Sequence, residues 1–323
     1  MKKTVYAMLL ASFVWVLTAC NTDNPSVEKD SDSLEVYTTV YPLQDFAEKI
    51  GREYVNVETI YPPGADEHTF EPSQQDMIKL AEADLFFYIG LGLEGFVDRA
   101  IDVLESQDLV MKAAADSITD GQLEGNNDDD EEEDSESGHE GHDHGDVDPH
   151  VWLDPVLSQS LALSIKNSLI EAMPNQEAYF TENYEELVAQ LDELDHEFKN
   201  LAEEAQVNQL FVSHAAYSYW ESRYGFEQLA IAGISTSEEP SQRELTSLIK
   251  IAKDNNIKHI LFEQNVSSNL TEVIQKEIGA DALELHNLSV LTPEDIDNNN
   301  DYFSLMEQNI ETLKTALQVN ELH

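Results

Sequence analysis

PNQEAYFTENYEELVAQLDELDHEFKNLAEEA, residues 174–205, carries no glycine and, after its first residue, no proline. Tyr184, Leu187, Leu191, Leu194 and Phe198 recur along it at helical spacing, so the stretch reads as one long helix with an apolar stripe. Thirty or so residues rising ~1.5 Å each would run about 45 Å, too long for a crossover within one small sheet. The helix is therefore expected to be a rigid connector over 174–206, with one lobe before it (34–173) and one after it (207–323).

On both sides of the connector, short β-rich runs alternate with helical patterns, which is the signature of parallel α/β architecture. Before it come LEVYTTV (34–40), YVNVETI (54–60), DLFFYIG (84–90) and DLVMKAA (108–114). After it come QLFVS (209–213), EQLAIAG (227–233), KHILFEQ (258–264) and DALELHN (281–287). The helices between them announce their starts. Ser73 with Asp76 and Ser241 with Glu244 have capping-box spacing, and Asp154 followed by Pro155 suits an N-cap and first helical position. The expected fold is α/β: two (β/α)4-type lobes with parallel sheets, joined by the long helix, with a cleft between them.

The N-terminus reads as an export signal over residues 1–19. Lys2 and Lys3 precede an apolar stretch too short for a membrane span, and LTAC ends at Cys20, the only cysteine in the chain. That ending resembles a lipobox, which implies a lipid on Cys20 and a polar tether over 20–33. A single cysteine excludes an internal disulfide and any cysteine-rich zinc site. With 17 basic against 65 acidic residues the chain carries −48, and −36 remains when the twelve acids of 128–148 are set aside. Nucleic acid and anionic membrane surfaces need positive patches, so both are excluded as partners, and cations are favoured. Residues 116–148 are too polar to bury a core and are expected to be disordered without a ligand.

In parallel sheets, ligands bind outside the carboxyl ends of the strands. His68 lies in the loop after 54–60, His214 directly follows LFVS, and His150 sits in DPHVWLDP. His196, His259 and His323 are read as solvated or structural, with His286 a distant candidate. Three imidazoles suit zinc, copper, iron or nickel, and three-histidine sites with one further carboxylate or open position are typical of zinc. Glu67 is the nearest carboxylate, placed to ligate directly or through a water.

YPPGADEHTFEPS, DPHVWLDP and FVSHAAYSYWESRYG, in that order, closely resemble motifs of the zinc-binding lipoproteins of ABC-type zinc uptake systems, the ZnuA/AdcA-like group of metal-binding receptors. The similarity runs over about 34–318 and includes the acidic, histidine-bearing insertion. It implies His68, His150 and His214 as zinc ligands, the third being a glutamate in manganese-type relatives. The family's fourth ligand falls on Ser289, a poor zinc ligand, so water or Glu67 is expected to complete the shell, with Glu263 a further option. His139, His142 and His144 are expected to form an accessory, loosely binding zinc site. The resemblance implies a monomeric extracytoplasmic receptor, held to the outer face of the cell membrane by lipid alone, that hands Zn²⁺ to a permease driven by a cytoplasmic ATPase. The alternative is a zinc hydrolase in which Glu67 serves a three-histidine site.

Overall fold

The computed structural model describes residues 33–123, 147–238, 240–264 and 269–319. All eight expected strands form: β1 (Leu34–Thr38), β2 (Val55–Thr59), β3 (Leu85–Tyr88), β4 (Val110–Ala113), β5 (Gln209–Val212), β6 (Glu227–Ala230), β7 (His259–Phe262) and β8 (Asp281–Glu284). They build two four-stranded parallel sheets, ordered β2-β1-β3-β4 and β6-β5-β7-β8. The second lobe thus repeats the first. In each, the opening strand has its successors on opposite edges, which creates a switch point between the first and third strands of the lobe.

The connector is a helix over Glu177–Glu204, preceded by a 3-10 turn at Pro174–Gln176. Its stripe (Phe180, Leu187, Leu191, Leu194, Phe198, Leu201) is buried. It packs on helices Tyr41–Gly51 and Pro155–Ala172 of the first lobe and on Ser218–Tyr224 and Tyr302–Ala316 of the second. One apolar core runs through both lobes, from Val36 and Phe86 past Trp152 and Trp220 to Tyr302 and Leu313. A connector whose apolar stripe is buried along its length in a continuous core resists bending.

Local chemistry sets most element ends as expected. Ser73 and Asp76 complete a capping box, as do Ser241 and Glu244, and Asp154 accepts the amides of Val156 and Leu157. Two readings are corrected. The stretch HAAYSYWESRYG (214–225) reads as a helix ended by Gly225 but is helical only from Ser218, because Ser213 and His214 turn their side chains to Glu263 and the amide of Ala215 bonds to Gly233. The acidic tract, expected to be disordered over 116–148, is ordered at its front edge. Ile118 is buried, Gln122 caps Thr119, and a helical turn spans Asp120–Leu123. Helix Pro293–Asn298 lay unread in the sequence, although Thr292 and Asp295 cap it as a box and Pro293 opens it. Cys20, the export signal, His139, His142, His144 and His323 lie outside the described residues.

Candidate metal centre

Three chain segments meet where the carboxyl ends of the two sheets face each other. His214 leaves the end of β5 and is fully buried. Glu263 leaves the end of neighbouring β7, and since Val212 pairs with Leu261, two further residues on each strand bring His214 and Glu263 side by side. The Glu263 carboxylate lies 2.6 Å from His214 Nδ1 and accepts Ser213 Oγ at 2.6 Å.

His150 is equally buried. Asp148 Oδ1 accepts the His150 backbone amide at 2.9 Å and lies 2.6 Å from Nδ1, closing a tight turn through Pro149. This segment precedes the connector in sequence, yet the second lobe fastens much of it. Tyr219 donates to the Asp148 carbonyl at 2.6 Å, Trp220 Nε1 to the Leu153 carbonyl at 2.8 Å and Tyr302 to the Trp152 carbonyl at 2.8 Å. Ser218 bonds Asp148, and Arg223 pairs with Asp154.

His68 sits half-buried on an irregular loop. Asp66 shapes that loop by accepting the amides of His68 and Thr69 at 3.0 and 3.1 Å, while Tyr61 donates to the Glu67 carbonyl at 3.2 Å. Among the described residues His68 Nδ1 has no hydrogen-bond partner.

An ionised carboxylate only accepts, so in the neutral ring Asp148 and Glu263 fix the proton of His150 and His214 on Nδ1 and leave Nε2 as a lone pair. Those Nε2 atoms lie 3.3 Å apart, and His68 Nε2 is 3.2 Å from that of His150. Two lone pairs at that separation repel unless something positive sits between them. Glu67, buried beside His68, completes a set of four residues whose ligating atoms all lie within 4.8 Å of one another.

The charges around the set follow from burial and pairing. Burial, with the imidazoles of His150 and His214 nearby, holds His68 down at about 4, so it is neutral at pH 7. Burial also works to lower His214, but the charge and hydrogen bond of Glu263 outweigh it and leave His214 above the ordinary imidazole value. Glu67 is raised by burial. In Glu263 and Asp148, burial is overcome by the partner histidine, and both are lowered.

Of the residues singled out in the sequence, His68, His150, His214 and Glu67 come together. Glu263 stands on the Nδ1 side of His214, outside that four-residue set. Ser289 donates from Oγ to Asn287 Oδ1 at 2.9 Å. His286 is engaged elsewhere, 3.1 Å from Asp295 and accepting the Leu288 amide, and His196 lies against its own helix at the Asp192 carbonyl. Asp148 and Asn287 went unread. For Asp148 the Asp-Pro-His spacing was the available signal, whereas Asn287 acts only through contacts that the sheet order creates.

Residues 36–316 match the zinc-uptake complex component A periplasmic family. The chain is 32% identical over 320 residues to the high-affinity zinc uptake system protein ZnuA of Bacillus subtilis, covering 98% of this chain and 99% of that protein. It is 34% identical over 311 residues to the zinc-binding lipoprotein AdcA of Streptococcus pneumoniae, covering 95% of this chain but 60% of AdcA. The Zn(II)-bound ZnuA-like domain of that AdcA superposes with a TM-score of 0.70 at 30% identity, over 88% of this chain and 99% of the domain.

Proposed function

The chain belongs to the zinc-uptake complex component A family, and from that premise we propose that it captures Zn²⁺ outside the cell membrane and delivers it to an ABC-type permease. His68, His150 and His214 supply neutral imidazole nitrogens, and Glu67 supplies the carboxylate of the shell. One observation carries the reading: three Nε2 atoms converge, two of them with Nδ1 held on a buried carboxylate. Carboxylate-backed imidazoles are the usual support of a bound zinc ion, since they fix the tautomer and raise ligand basicity. The family is that of a binding component for uptake and not of an enzyme, so the hydrolase reading has no support.

Lipid on Cys20 would tether the receptor, and a monomer handing its cargo to the permease accounts for the rest of the arrangement. A continuous core under both lobes leaves little room for wide opening, so release is assigned to docking on the permease. The acidic tract with His139, His142 and His144 serves as a loose collecting site.

Titration calorimetry of the metal-free chain with Zn²⁺ tests the proposal. One tight site is expected, together with weaker ones that disappear when 126–146 are removed. His150→Ala should weaken the tight site by more than the roughly 10–100-fold typical of outer-shell changes. An unchanged tight site in His150→Ala removes the histidine set from zinc capture, and unchanged stoichiometry in the shortened chain removes the collecting role.

A further inference from the structure

Just past β8, the carboxamide of fully buried Asn287 lies between two carboxylates from opposite lobes. Nδ2 donates to Glu67 Oε1 at 3.2 Å and to Glu263 Oε2 at 3.0 Å. The amide has one admissible orientation. Oδ1 accepts the Ser289 backbone amide at 3.1 Å, a group that can only donate, as well as Ser289 Oγ. A flip would set oxygen against two carboxylates and NH₂ against N–H. Buried Leu288, between Asn287 and Ser289, adopts φ +60, a left-handed conformation disfavoured for a residue with a Cβ. That twist turns the Ser289 amide back onto the Asn287 side chain, so backbone strain is held where it aims one carboxamide. The Asn287 carbonyl also accepts Trp152 Nε1 at 2.7 Å, beside the His150 turn.

We infer that Asn287 is a positioning residue for the cargo: by engaging one oxygen of Glu67 it turns the other toward the three imidazoles. The inference rests on the zinc-binding reading above. Glu67 and Glu263 are close enough to share one donor group, and without it two buried anions would face each other and swing apart or take up a proton. The carboxamide gives each one N–H and adds no charge. It leaves Glu263 on His214 while assigning Glu67 to the cation, so a neutral residue decides that the shell is three nitrogens and one oxygen.

The test uses the full chain loaded with Co²⁺, whose visible absorption reports coordination number and geometry, alongside competition for Zn²⁺. Asn287→Ala should weaken zinc roughly 10–100-fold and reproduce the cobalt spectrum of Glu67→Gln. Added to Glu67→Gln, it should cost no more than about twofold further, since residues acting through one another are not additive. Ser289→Ala, a milder change that removes one of the contacts orienting the amide, should move both readouts a few-fold in the same direction. A wild-type cobalt spectrum in Asn287→Ala and Ser289→Ala, or full additivity in the double variant, overturns the inference. These outcomes are separable from failure of the underlying reading, which shows in the parent chain as a cobalt spectrum untouched by His150→Ala.

Discussion

The two sheets end alike for one residue and then diverge. Thr39 follows β1 and Ser213 follows β5, and each hydroxyl donates to a buried glutamate, Glu94 at 2.8 Å and Glu263 at 2.6 Å. In the first lobe the next residue is Val40, and Glu94 takes its remaining bonds from the backbone amides of Ile89 and Gly90. Burial outweighs those bonds and pushes Glu94 up to about 7. In the second lobe the next residue is His214, which lowers Glu263 despite the same burial. Repeated folds therefore offer two equivalent pockets for a buried carboxylate. Only the pocket with an imidazole converts that carboxylate into support for a cation, because the ring carries the effect through to Nε2 in the cleft. On the proposed reading, the first lobe contributes its ligands from loops instead.

The largest effect that could break this contrast comes from neutralising each glutamate. Glu263→Gln should weaken zinc roughly 10–100-fold, since His214 loses the anionic, acceptor-only partner that sets its tautomer and raises its basicity. Glu94→Gln should leave zinc affinity within about twofold and instead cost about 1–3 kcal/mol of stability, because its new NH₂ would face a backbone N–H with no acceptor. Calorimetry and denaturant unfolding of the two variants settle the matter. Equal losses of affinity would mean that the lobes support the ion alike.

Acidity should sharpen the contrast next. Protons and zinc compete for the same nitrogens, so affinity falls as pH drops, first at raised His214 and last at His68 near 4. Stability of the metal-free chain has the opposite sign at His214. A raised histidine stabilises fully below its unfolded value near about 6.5, and that contribution is lost as pH rises through the folded value. Lowered His68 works in a different window, destabilising as pH falls from about 6.5 toward 4. The gap in melting temperature between zinc-loaded and metal-free protein should therefore widen from pH 6 to pH 8. A gap that narrows over that range would mean that Glu263 and His214 are not coupled as described.

Much of this was legible in the residues. The periodic stripe of 177–204 and the caps at Ser73, Asp154 and Ser241 are local signals, and they placed the connector and all eight strands. The three histidines were legible because each follows a strand or opens a motif at the carboxyl edge. The roles of Glu263, Asp148 and Asn287 depend on which strands neighbour which. Glu263 is 49 residues from His214 and reaches it only because β7 lies beside β5. His150 looked like a first-lobe residue, and its neighbours Asp148 and Leu153 turn out to be fastened by Tyr219 and Trp220 from across the cleft, a pairing that no periodicity encodes.

The smallest expected effect concerns His68, the proposed ligand that no carboxylate backs. Among the described residues, His68 lacks a carboxylate behind Nδ1, and its loop is tied to the second lobe by Thr236 Oγ1, which donates to Asp66 Oδ2 at 2.6 Å. Asp66 also accepts the amides of His68 and Thr69, so this bond transmits the position of the 231–238 loop directly to His68. Thr236→Val keeps the shape and removes the hydroxyl. A hydrogen bond of about 1 kcal/mol corresponds to roughly a fivefold effect, expected in the rate at which a chelator strips zinc rather than in melting temperature, while Thr236→Ser should behave as the parent. Stopped-flow release showing no acceleration in Thr236→Val would mean that Asp66 holds His68 without help from the other lobe. Release would then have to begin at His150 or His214, the two proposed ligands whose carboxylates make them hardest to move.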